Sequence, residues 1–258
     1  MLGSAAVLPP WASPFGMIEP DPAGPRSYAL YDEAVARVVP ESGFQSRIAL
    51  RDTVLQLVEY GVIDRGKFFA LARQRGAPPP ELSTALSEAS DQPIRLTRDN
   101  AVDLVNLLWP IGLSNYMAGN FSSPLNGDSL YTFASTGGWT LGAAENGGNY
   151  FNTFPIVSLN AAQEGRIIRL AESIYRPCCD NSTFFQDCNH GSALLGLLQL
   201  GVSQGLDDAE LHREALAFNS FWFPDNYILT ALYLKVFEDQ DWQDADPVRI
   251  LGFEFSAL

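Results

Sequence analysis

The residues best equipped for chemistry are three cysteines and a histidine crowded into one segment. Cys178 and Cys179 follow Arg176-Pro177, Cys188 follows Asp187, and His190 lies two residues past Cys188. These are all the cysteines of a 258-residue chain and one of its two histidines. Uniform placement would gather three cysteines this tightly in roughly one chain in two hundred. Three thiolates and an imidazole make a complete tetrahedral set for zinc, and a soft set suited to copper(I) or an iron–sulfur cluster. The CC-x8-C-x-H spacing is not a standard zinc pattern, so other chemistries stay open. Two cysteines can close a disulfide and leave one thiol. A low-pKa cysteine beside His190 can act as a nucleophile or redox thiol, which would make the chain a thiol enzyme or a soft-metal binder using the vicinal pair. A helical interaction module stapled by a disulfide, or inert packing of small apolar side chains, is the plainer reading. The metal set read from sequence is Cys178, Cys179, Cys188 and His190, lined by Arg176, Asp187 and Trp139; no catalytic residue is assigned.

Geometry constrains that set. If the following helix already contains Cys188, Cys188 and His190 point about 200° apart and cannot share an ion. If it begins at His190 with Asn189 as cap, the C-x-H stretch is extended and both can face the same way. Arg176 and the positive end of that helix favour thiolates and a neutral imidazole. His212, on a helix with Asp207, Asp208, Glu210 and Glu214, reads as exposed.

The elements that must position these groups read as helices. Tyr31 to Val38 is a short candidate. Arg47 to Tyr60 places Leu50, Val54, Leu57 and Val58 at helical spacing, with Gly61 as stop. Asp64 caps the next helix, Pro78-Pro79-Pro80 breaks the pattern, and Glu81 to Ala89 resumes it. Thr97 caps a helix to about Tyr116 that Pro110 should kink or split. Asn160 caps a helix to about Tyr175. Another runs from about Cys188 to Gln204, with Gly205 as stop, and Asp207 caps a further one to about Phe221. Pro224 opens a helix that is apolar nearly all round and so reads as central. The expected fold is all-α: residues 1–29 a Pro-rich tail, and 30–258 a single-domain irregular helical bundle. Residues 119–150 form a long Gly- and aromatic-rich loop, ordered by its aromatics, and 175–191 the Cys/His segment. Such a loop, nearly uncharged, should cover something apolar, and packing of Trp139 against the cluster is the expectation.

Charge excludes two function classes. Sixteen Lys and Arg stand against thirty Asp and Glu, a net charge of −14. Such a chain repels nucleic-acid phosphate and anionic lipid. No stretch is long and apolar enough for an integral membrane segment. Of the cofactors, zinc comes first, with copper or iron–sulfur next; whether the protein is an enzyme stays open.

Three segments, NLLWPIGLSN (106–115), FASTGGWTL (133–141) and YRPCCDNSTFFQDCNHG (175–191), resemble a set of uncharacterised bacterial proteins over about residues 44–235. That set has no established activity and lends no catalytic residue. The resemblance implies that the Gly-rich loop and the cysteine segment belong to one site. Many of those sequences begin with an apolar anchor, which implies an extracytoplasmic location, periplasmic or secreted, with the cytoplasm as the alternative.

Overall fold

A computed structural model describes residues 25–77 and 80–257. In chain order the elements are α1 (Pro25–Val38), β1 (Phe44–Arg51), α2 (Thr53–Glu59), α3 (Arg65–Arg73), α4 (Pro80–Ala85), β2 (Ser90–Leu96), α5 (Ala101–Ser114), α6 (Ala161–Ser173), α7 (Asn189–Ser203), α8 (Asp208–Trp222), α9 (Pro224–Glu238), α10 (Pro247–Leu251) and α11 (Phe253–Ser256). The fold is mostly helical, as the periodicity predicts, with one two-stranded antiparallel sheet. The expected Pro-rich tail lies outside the described residues up to residue 24, and its last five residues begin α1.

Local signals placed several helix ends. The Asp64 carboxylate accepts from the Lys67 amide at 2.9 Å. Asn160 with Gln163, and Asp207 with Glu210, close reciprocal capping boxes, each satisfying amides the helix leaves free. Gly205, at φ +86°, follows α7 in the left-handed region that glycine enters without penalty. Pro110 does not split α5, which runs unbroken across it.

The core is built on α5 and α7, which have almost no exposed side chains along their length. They approach closely because both carry glycine at the crossing. A methyl group on Gly112 would strike the Ser192 carbonyl oxygen and lie 2.8 Å from the Gly196 nitrogen. One on Gly196 would strike the Leu108 carbonyl oxygen. This pair takes the central place expected of α9. That helix instead lies at the periphery, with Leu229 64%, Val236 54% and Phe237 61% exposed. An all-round apolar helix can be buried or can present one apolar side outward, and composition alone does not separate the two.

Residues 44–51 correct the helix expected from Arg47. They form β1, pairing Phe44 with Leu96 and Gln45 with Arg95. Ile48, fully buried, packs at the α7 glycine Gly201. Distant side chains complete the strand's other edge. The Gln204 amide accepts from Ala49 N–H at 3.0 Å and donates to Ala49 C=O at 2.8 Å, standing in for a strand backbone. The Glu214 carboxylate accepts from the Arg47 amide at 2.7 Å and the Ser46 hydroxyl at 2.6 Å. The stretch expected as a helix to Ala89 stops at Ala85, before β2.

Glu214 is buried, and burial raises its pKa despite the bonds from Ser46 and Arg47, which pull it down. Its contribution to stability therefore falls as pH rises from the unfolded carboxylate range through the higher folded value. Glu214→Leu leaves a buried hydroxyl and amide unpaired, so a loss of about 2–3 kcal/mol is expected in urea unfolding. Glu214→Gln, which keeps an acceptor for the Arg47 amide, should lose less than half of that. Equal midpoints for the two variants would show that Glu214 does not hold the strand.

Candidate metal centre

The cysteine segment is irregular backbone between α6 and α7. It turns back on itself through an antiparallel bridge between Arg176 and Cys179. This bend lets two adjacent cysteines face one place. The Cys178, Cys179 and Cys188 sulfurs all lie within 4.8 Å of one another. Cys178 Sγ and Cys188 Sγ are 3.3 Å apart. Cys178 is exposed and the other two are partly buried, and all three are free thiols. Three sulfurs thus lie close enough together to hold one metal ion. A zinc–sulfur bond of about 2.3 Å sets tetrahedral S···S separations near about 3.8 Å, between these two distances.

Cys188 holds the N-cap position of α7 in extended backbone, φ −117° and ψ 166°. Its sulfur accepts from the Gly191 amide at 3.3 Å and from Arg176 Nε at 3.1 Å. α7 therefore starts one residue earlier than a shared Cys188–His190 ligation requires. His190 is already helical, and its ring turns toward Phe223 and Trp222, with centroids 4.6 and 5.7 Å away. Among the described residues only the three cysteines converge, and His190 is not with them. It lies against Cys188, near enough to favour the thiolate, and lines a cavity of about 290 Å³ with Asn106, Asn189, Phe221 and Trp222.

Arg176 organises the segment. Its side chain is wholly buried. The guanidinium donates to the Asn181 carbonyl at 2.7 Å, the Phe185 carbonyl at 3.0 Å, the Asp187 carboxylate and the Cys188 sulfur. It lies so close over Gly191 that a methyl group there would fall 2.7 Å from Cζ. Asp187 also accepts from the Asn181 amide at 2.9 Å and faces the Cys179 sulfur at 3.6 Å. The sequence assigns Asn181 and Gly191 no part in the site. Their only signal was membership of the same dense segment.

These neighbours divide the thiols. Cys188 is held well below the ordinary thiol range, first by hydrogen bonds from Cys178 and Cys179, then by His190 and the Arg176 charge. Cys178 is pushed far above it by its hydrogen bonds with Cys179 and Cys188. Cys179 is pushed up to about 11: its bond with Cys178 pulls it down, but its bond with Cys188 and burial outweigh this.

The Gly-rich loop meets the segment through residues between 123 and 135. The Phe133 ring packs edge-on against Phe185 at 5.4 Å, Ser135 N–H donates to the Asp187 carbonyl at 3.0 Å, and Ser123 Oγ donates to the Phe184 carbonyl at 3.0 Å. Trp139 does not join them. It is wholly buried in the main core, edge-on to Trp109 at 4.8 Å, with its indole N–H on the Val62 carbonyl at 2.8 Å. Leu141, Ala143 and Tyr150 bind the rest of the loop to the corner between α2 and α3. An indole N–H needs an acceptor when buried, and the Val62 carbonyl at that corner supplies one.

His212, expected on the surface, is buried on α8. Its Nδ1–H donates to the Asp208 carbonyl at 2.6 Å one turn back, which satisfies the ring. Among the described residues, no helix is long and apolar enough to cross a membrane. No family model, curated protein or solved structure matches the chain.

Proposed function

We propose that the protein binds a soft transition-metal ion through Cys178, Cys179 and Cys188, and that it holds or hands on that ion. The observation that carries this reading is the convergence of three sulfurs within 4.8 Å at the capped start of α7. An all-sulfur set favours zinc or copper(I) over hard cations. Zinc comes first and copper(I) second. An iron–sulfur cluster ranks below both because it takes four cysteines. Closed structural zinc sites use four protein ligands, whereas three leave a position for an exchangeable group. Three converging ligands with Cys178 exposed therefore support an exchangeable ion over a permanent staple. His190 takes a neighbouring role, beside Cys188 and facing the cavity.

The test is metal content and thiol count together. Reduced, metal-free protein is loaded with Zn²⁺ or copper(I), desalted, and assayed by elemental analysis and by thiol titration. One ion per chain with three blocked thiols is expected. Cys178→Ser, Cys179→Ser and Cys188→Ser should each lower affinity at least tenfold, while His190→Ala stays within threefold. Equal losses in all four variants would restore the four-ligand set. No retained ion in the unsubstituted protein, with three reactive thiols, would end the metal reading.

A further inference from the structure

The same three sulfurs lie in an arrangement that metal binding alone does not require. Cys178 and Cys188 approach to 3.3 Å, and a disulfide needs about 2.05 Å, so closing the bond takes a sulfur movement of little more than about 1 Å. Cys178 is the exposed member, reachable from solvent, and Cys188 is fixed by the Arg176 and Gly191 donors. Cys179 meets Asp187 instead. We propose that Cys178 and Cys188 form a reversible disulfide under hydroperoxide, so that the cluster is a redox-controlled site that gives up its ion on oxidation. The release of metal rests on the metal reading above; the disulfide itself does not.

The chemistry balances in two steps. One of the two sulfurs attacks a peroxide oxygen, the O–O bond breaks, one water leaves, and that cysteine becomes a sulfenic acid. The sulfur of the other cysteine then attacks that sulfur. The S–O bond breaks and hydroxide leaves as a second water, taking the remaining thiol proton. Two thiols lose two electrons in all, and hydrogen peroxide is reduced to two waters. Cys179 keeps its thiol. With two of three ligands tied to each other, only Cys179 remains to hold an ion. A dithiol reductant restores the set.

The segment provides its own mapping. Cleavage before Asp180 and before Asp187 separates the fragment carrying Cys178 and Cys179 from the one carrying Cys188. Metal-free protein is treated with one equivalent of hydrogen peroxide, alkylated, digested and weighed. Expected are a fall from three free thiols to one, a mass lower by two hydrogens, and the two fragments joined. Cys179→Ser should still join them, which assigns the bond to Cys178, while Cys178→Ser should leave them unjoined. A bond within the Cys178–Cys179 fragment, joining that survives Cys178→Ser, or three thiols persisting would each overturn the proposal. In a parallel arm, zinc-loaded protein under the same oxidant should release its ion to a colorimetric chelator in step with thiol loss. Protein that never loads zinc yet forms the disulfide fails the metal reading alone. Protein that loads zinc but forms no disulfide fails this proposal alone.

Discussion

Gly112→Ala is expected to lower stability by about 3–5 kcal/mol, at the upper end for a single methyl group. The reason is what the methyl would meet. The Ser192 carbonyl and the Gly196 amide are backbone of the facing helix, and neither can rotate away. Relief requires α5 and α7 to separate along their length, which opens voids under Leu108, Ile111 and Leu197, all fully buried. Gly196→Ala should behave alike, and the double variant should cost less than the sum, because one separation relieves both clashes. Gly127→Ala is the control: nothing lies within 4 Å of its added methyl, so its effect should stay within about 0.5 kcal/mol. Urea midpoints at constant slope measure all four. If Gly112→Ala moved the midpoint no further than Gly127→Ala, the close crossing would be wrong.

Arg176→Met is expected to cost a similar amount, about 3–5 kcal/mol, by a different route. The guanidinium joins four acceptors that come from separate turns of the segment: the Asn181 and Phe185 carbonyls, the Asp187 carboxylate and the Cys188 sulfur. Methionine fills much of the volume but leaves a carboxylate without its cation and two carbonyls without donors. Arg176→Lys should recover less than half, since one ammonium cannot reach across a planar fork of acceptors. Arg176→Met with Asp187→Asn should be less damaging than Arg176→Met alone, because the stranded charge is gone. Thermal unfolding of reduced, metal-free protein reads these differences without interference from a bound ion. Alkylation kinetics of Cys188 give a second readout, since loss of the Arg176 donor frees that sulfur. An Arg176→Met protein within about 1 kcal/mol of the unsubstituted chain would show that the arginine does not organise the segment.

The sequence by itself determined what depends on near neighbours. Asp64, Asn160 and Asp207 announced their helices because a side-chain cap and the amide it serves lie three residues apart. Gly205 announced an end for the same local reason. The crowding of Cys178, Cys179 and Cys188 was legible because a turn of about ten residues can bring all three together without help from elsewhere. Tertiary structure decided the rest, wherever the deciding partner lies far along the chain. The helix expected from Arg47 to Tyr60 forms only over Thr53–Glu59; residues 44–51 instead pair with β2, and Gln204 and Glu214, more than 150 residues away, complete the strand's other edge. Trp139 went to the core because the Val62 carbonyl was there to accept its N–H. Periodicity could not place α9, since an apolar helix is central only if neighbours exist on every side, and the glycine crossing of α5 and α7 had already taken that position. His190 parted from the cysteines at a single residue. With Cys188 as cap and Asn189 as the first helical residue, the helical turn carries the imidazole toward Trp222 and Phe223, and the group that converges is the three sulfurs.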